Sequence, residues 1–180
     1  VWETLFDPFQ QVWRTAGYSA TKLIYAHPAE ALRMLSAVTD TLCEYVEAVK
    51  STGVDGILYA INGAIAPPGE RGIDDATFRS LLRPFDLRLL EAMQGTVRIL
   101  HVHGTHVDMR RVLDYPCEVI SVSDRLPGNP SLAELRAMTG KCIMGGINEA
   151  RLHERSNAEL RAEIRDAMRQ AGPDRKSTRL

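Results

Sequence analysis

Cysteine is scarce in this sequence. Cys43, Cys117 and Cys142 are its only three, far apart and odd in number. No two have the short spacing of a zinc knuckle or a redox motif, which argues against a disulfide framework and for a reducing, cytoplasmic setting. Net charge is also lacking: 22 Lys and Arg stand against 23 Asp and Glu, leaving -1. No basic field therefore favours nucleic acid or an anionic membrane surface. Apolar runs are only a few residues long, against the roughly 20 that a membrane-spanning helix requires. There is no G-x-G-x-x-G, the glycine-rich turn expected after the first strand of a doubly wound dinucleotide-binding sheet.

The remainder is ordinary soluble-domain material, 44% hydrophobic and 25% charged over 180 residues, enough for one sizeable core. Leu5, Phe9, Val12 and Trp13 recur at helical spacing and predict an amphipathic helix over Trp2 to Ala16, broken by Gly17. A second helix opens at His27-Pro28 and carries Leu32, Leu35, Val38, Leu42, Tyr45, Val46 and Val49 to its end at Gly53. Gly56 to Ile61 then reads as a strand buried on both faces. A loop through Pro67-Pro68-Gly69 leads to a helix over Asp74 to Gln94 that Pro84 should kink or divide.

The alternation then repeats. Strands are predicted at Arg98 to His103, Glu118 to Ser123 and Cys142 to Ile147. Helices are predicted at Val107 to Leu113, at Ser131 to Thr139 (Ser131 and Glu134 spaced as a capping box) and at Asn157 to Ala171. Four strands alternating with helices imply right-handed βαβ units and a parallel sheet. Polar residues follow all four strands: Asn62, His101 and His103, Ser123 and Asp124, and Asn148. That recurrence favours the C-terminal mouth of a (β/α)₈ barrel. Four strands are half of such a barrel, so the expected architecture is a partial (β/α)₈ barrel over residues 1–172. The chain opens on Val1 rather than Met and is read as part of a longer one. The polar tail Asp174 to Leu180 reads as disordered or foreign to the domain.

His101-Val-His103-Gly104 is the sharpest local feature. Residues two apart on a strand share a face, so both imidazoles point the same way. They are candidate Zn²⁺ ligands awaiting a third donor, or polar groups that hold a substrate carboxylate. Asp124 is a candidate substrate or cation contact, or a plain residue of the turn-rich Leu126-Pro-Gly-Asn-Pro130 segment. Asn62 offers a side-chain amide to a ligand, or simply makes an Asn-Gly turn with Gly63. Asn148 is placed to face the pocket beyond Gly145-Gly146.

Thr52-Gly-Val-Asp-Gly-Ile-Leu-Tyr-Ala-Ile61, Phe78 with Leu82-Arg-Pro-Phe85, Ile99-Leu-His-Val-His-Gly104, Val119-Ile-Ser-Val-Ser-Asp124 and Gly145-Gly-Ile-Asn148 together resemble the uroporphyrinogen decarboxylase family. That family includes methylcobamide:coenzyme M methyltransferases. The resemblance runs from about Pro8 to Gly172 and covers the C-terminal part of a family barrel. It implies a (β/α)₈ fold and, in the decarboxylase branch, cofactor-free loss of CO₂ from a tetrapyrrole acetate in porphyrin biosynthesis. On that reading Asn62, Asp124 and Asn148 bind substrate. Asn62 stands where the decarboxylases have serine, their pyrrole-gripping aspartate falls before Val1, and their late histidine falls after Leu180. The methyltransferase branch has His-x-Cys-Gly where this chain has His101-Val-His103-Gly104. That likeness implies zinc on His101 and His103 and a corrinoid methyl donor to a thiol. An inactive fragment is the third expectation, and a homodimer is the oligomer considered.

Overall fold

The computed structural model describes residues 1–17, 19–67 and 72–172. The expectations for the tail from residue 173 onward and for Pro68-Gly69 lie outside these. Five strands, β1 (Trp2–Phe6), β2 (Gly56–Ile61), β3 (Val97–Val102), β4 (Val119–Val122) and β5 (Cys142–Met144), form one sheet in the order β1-β2-β3-β4-β5. Every neighbouring pair is parallel. The sheet is open, with β1 and β5 at its edges, and its topology is that of a partial (β/α)₈ barrel.

β1 corrects the expected helix over Trp2 to Ala16. The Leu5-Phe9-Val12-Trp13 spacing runs across a boundary at Asp7-Pro8. Asp7 has an extended backbone, its carboxylate accepts the Gln10 N–H at 2.5 Å, and Pro8 occupies the first turn of helix α1 (Pro8–Ala16). A capping aspartate followed by proline is a strong helix start, so the residues before it are free to pair with β2. A short helix not foreseen, α2 (Ser19–Ala26), precedes the long α3 (Pro28–Ser51).

Between β2 and β3 the expected kink is real. A turn of helix, α4 (Asp75–Thr77), passes through a π-turn at Phe78–Leu82 into α5 (Arg83–Ala92). The Arg83 N–H reaches the Phe78 carbonyl, five residues back, just ahead of Pro84. Proline has no N–H to continue the α ladder, and the wider turn accommodates it. The helix expected at Val107 to Leu113 is only one 3₁₀ turn, Met109–Arg111. Val107 is held extended by a bridge to Ile65, and Val112 leaves helical geometry at φ -131°.

α6 (Leu132–Met138) starts with a complete capping box. The Glu134 N–H donates to Ser131 Oγ at 3.2 Å and the Ser131 N–H to Glu134 Oε2 at 2.8 Å. Replacing Ser131 by alanine is expected to lower stability by about 1 kcal/mol, read as a shift of the urea midpoint. α7 (Asn157–Ala171) begins with a second box on Ser156 and Glu159.

Strand alternation gives the sheet two unlike faces. Leu5, Tyr59, Leu100 and Ile120 lie in register on one, all buried with Leu35, Phe78 and Leu89 from the helical side. The other carries Trp2, Thr4 and Phe6, then Leu58 and Ala60, Val97, Ile99 and His101, Val119 and Ser121, and Cys142 and Met144. In a closed barrel this face lines the interior. Here Trp2 is 53% and Met144 42% exposed. No described helix is long and apolar enough to cross a membrane, and all three cysteines are free thiols.

Candidate active site at the C-terminal ends of the strands

Because all five strands run the same way, the residues that follow them gather along one rim. Asp7 follows β1, Asn62 β2, His103 β3, Ser123 and Asp124 β4, and Gly145-Gly146 with Asn148 the last strand. Phe6, Ala60, His101, Ser121 and Met144 form the row just below, on the open face. His103 extends the ladder by donating its N–H to the Ile61 carbonyl at 2.9 Å.

His101 and Ser121 make the central pair, with Nδ1 and Oγ 3.0 Å apart. This contact fixes the imidazole plane. Burial lowers the His101 pKa, the adjacent His103 ring lowers it further, and the Glu149 carboxylate opposes both. His101 is therefore a neutral imidazole at pH 7, able to accept or donate but not a standing cation. The two histidine rings are 5.8 Å apart between centroids and tilted by 42°. Ser123 donates its hydroxyl to Glu149.

Asn62 is 6% exposed. Its N–H donates to Asp7 Oδ2 at 2.6 Å, while its side-chain Oδ1 is buried with no hydrogen-bond partner. A buried acceptor left unmatched costs on the order of 1–3 kcal/mol, so a donor arriving there gains more than it would at a hydrated group.

The other expected contacts on the rim have partners within the fold. The Asp124 side chain is 1% exposed; its Oδ1 accepts the Gly146 N–H at 2.5 Å and its Oδ2 lies 3.3 Å from Arg125 Nε. Arg125 continues to Asp166 on α7 at 2.7 Å. Asn148 Oδ1 accepts the Arg151 N–H at 3.2 Å as an N-cap, and the Asn148 N–H donates to Glu163 Oε2 at 3.2 Å. Each thus spends a side-chain oxygen on the segment after β5, Asp124 on the Gly146 N–H and Asn148 on the Arg151 N–H.

The zinc expectation is overturned. Among the described residues, no three of His, Cys, Asp and Glu converge to hold a metal ion. His101 and His103 do share a face, but His101 Nδ1 is taken by Ser121, and Glu149, the carboxylate that acts on His101, is taken by Ser123. That correction removes the zinc on which the expected corrinoid-and-thiol alternative was built.

Ser121, Glu149 and Asn129 were not foreseen. Ser121-Val-Ser123 repeats the two-residue spacing of His101-Val-His103 on the adjacent strand, a signal that was there to read. Asn129 joins the loops after β3 and β4: Nδ2 donates to the Gly104 carbonyl at 2.8 Å and the Ser123 carbonyl at 2.9 Å, and Oδ1 accepts the Val107 N–H at 3.1 Å. Nothing local in sequence announces that role.

Among curated proteins, none matches this chain. Among solved structures, a methyltransferase from Methanosarcina mazei is similar at a TM-score of 0.78 and 16% sequence identity, over 94% of this chain and 50% of that one. The likeness shows the shared barrel architecture, and this chain spans half of that protein's length. The family profile described as Uroporphyrinogen decarboxylase (URO-D) matches residues 14–177. A match across most of the chain, with the rim on the strand ends where that fold keeps its chemistry, makes this chain a member of the uroporphyrinogen decarboxylase family.

Proposed function

We propose that the rim serves a carboxy-lyase of the uroporphyrinogen decarboxylase kind, with Asn62, His101 and His103 facing a tetrapyrrole. The observation that carries this reading is the unmatched buried Oδ1 of Asn62, the residue that follows β2 at the rim. A pyrrole N–H is an apolar-flanked donor that such an acceptor suits. His101, neutral and oriented by Ser121, and the exposed His103 offer ring nitrogens to an acetate carboxylate. In the reaction the bond between the acetate methylene and its carboxylate breaks. CO₂ leaves, the electron pair passes into the protonated pyrrole to give an exocyclic methylene, a solvent-derived proton ends on the new methyl carbon, and the ring returns its extra proton to solvent. No cofactor enters. The chain's contribution is orientation and a low-dielectric wall of Leu58, Ala60 and Ile99 beneath the ring. Asp124 and Asn148 act on substrate indirectly in this reading, by holding the loops that frame it.

The test uses the full chain. Uroporphyrin binding, followed by tryptophan fluorescence, should weaken at least tenfold in Asn62→Ala, and release of CO₂ from uroporphyrinogen should fall by at least a hundredfold in His101→Ala. A chain that neither binds the porphyrin nor decarboxylates the porphyrinogen sinks the proposal, as does Asn62→Ala binding as tightly as wild type.

A further inference from the structure

On the helix-packed face of the sheet, opposite the open face, lies a second polar cluster that the proposed chemistry leaves unused. Asp86 on α5 is 4% exposed and Asp7 at the end of β1 is 2% exposed. Both residues line one narrow gap with Pro8, Phe9, Leu35, Gly63, Leu82 and Phe85, without room for a water molecule. Two acids in a space that water cannot enter cannot both ionise cheaply.

The hydrogen bonds separate their roles. Asp7 is served by backbone N–H groups: Gln10 to one oxygen at 2.5 Å and Asn62 to the other at 2.6 Å. Donors of this kind favour the charged form. Asp86 meets two hydroxyls, Tyr59 Oη on β2 at 2.7 Å and Tyr115 Oη at 2.8 Å. A tyrosine hydroxyl can donate or accept, so it serves a carboxylic acid as well as a carboxylate. Among the described residues, the charged groups that act most on Asp86 are Asp7 from β1, which opposes ionisation, and Arg83 on its own helix, which favours it. Arg83 is partly spent on Asp114 at 2.7 Å and on the face of Tyr115. α3 and α1 present only Leu35, Pro8 and Phe9 to the gap.

We infer that Asp7 and Asp86 form a proton-linked latch: at neutral pH the pair holds one proton, Asp86 carries it as a carboxylic acid, and its loss to solvent in alkali weakens the seating of α5 on the sheet. Burial and the Asp7 charge push Asp86 up to about 8, while burial alone, opposed by the backbone N–H groups, brings Asp7 to about 6. The sign follows from linkage. Between the ordinary carboxylate range and about pH 8 the folded chain keeps a proton that the unfolded chain has lost, so stability falls as pH rises. Because Asp7 also receives the Asn62 N–H, the latch touches the rim through one backbone bond.

Urea unfolding of the full chain from pH 5 to pH 9 tests this. Relative to Asp86→Asn, the wild-type unfolding equilibrium constant should rise about tenfold per pH unit and level off above about pH 8. Infrared spectra should show a protonated carboxyl C=O band at pH 7 that is absent from Asp86→Asn and fades through about pH 8. In Asp7→Asn, with the opposing charge gone, that fading should move to lower pH. Parallel unfolding curves for wild type and Asp86→Asn, or wild type without the band at pH 7, overturn the latch. Should Asp86→Asn fail to fold, the wild-type band and its shift in Asp7→Asn decide the matter.

Discussion

Phe78→Ala is expected to destabilise the chain by about 3–5 kcal/mol, enough to unfold much of the population of a domain whose total stability is of order 5–15 kcal/mol. Phe78 is fully buried at the start of the π-turn. Its ring lies under the turn that carries Asn62: a Cβ added at Gly63 would sit 3.4 Å from the ring. On another side the Arg111 guanidinium carbon lies 5.3 Å from the ring centroid. Arg111 is itself buried and reaches the Gly63 and Ile65 carbonyls at 3.4 and 3.5 Å. Truncation therefore opens a cavity and strips a buried cation of its aromatic face. Urea unfolding monitored by circular dichroism reads the loss. A change below about 1 kcal/mol would show that the ring is not the support assigned to it.

Gly146→Ala is expected to cost about 2–4 kcal/mol, concentrated in the β5–α7 segment. Gly146 has φ +104°, and an added Cβ would lie 2.4 Å from the Ala167 Cβ and 3.3 Å from Leu132 Cδ1. Backbone strain and a clash with a helix thus coincide at one residue. The same residue gives its N–H to Asp124 and its carbonyl to Arg125, whose guanidinium holds Asp166 of α7. Displacing it should unseat α7 and expose its amides to hydrogen exchange ahead of the core strands. Gly140→Ala is the control: its added Cβ meets nothing within 4 Å and its φ is not positive, so it should change stability little.

Much of the framework was legible because it follows from local chemistry. β2 and α7 have the predicted limits, the Ser131 capping box is formed, and Pro84 breaks the helix as its missing N–H demands. A period of two in His101-Val-His103 places both rings on one face whatever surrounds them. The errors arose where local signals compete with pairing. Leu5 to Trp13 has helical spacing, yet Trp2–Phe6 is a strand, since β2 offers an edge that no local rule represents. Val107 to Leu113 shortens to a single turn because a bridge to Ile65, over forty residues earlier, holds its first residue extended.

Residue order alone thus determined the alternation of strands and helices, the parallel sheet and the polar rim at its C-terminal ends, because strand and helix periods and cap residues act over a few positions. Only the tertiary structure decided which rim groups remain free. Ser121 occupies His101, Glu149 is taken by Ser123, and Asp124 and Asn148 are spent on backbone N–H groups, while Asn62 keeps an unmatched acceptor. It also brought Asp7 and Asp86, distant in sequence, to one dry gap. Hydrogen-bond satisfaction and desolvation are properties of the assembled surroundings, and no run of neighbours along the chain contains them.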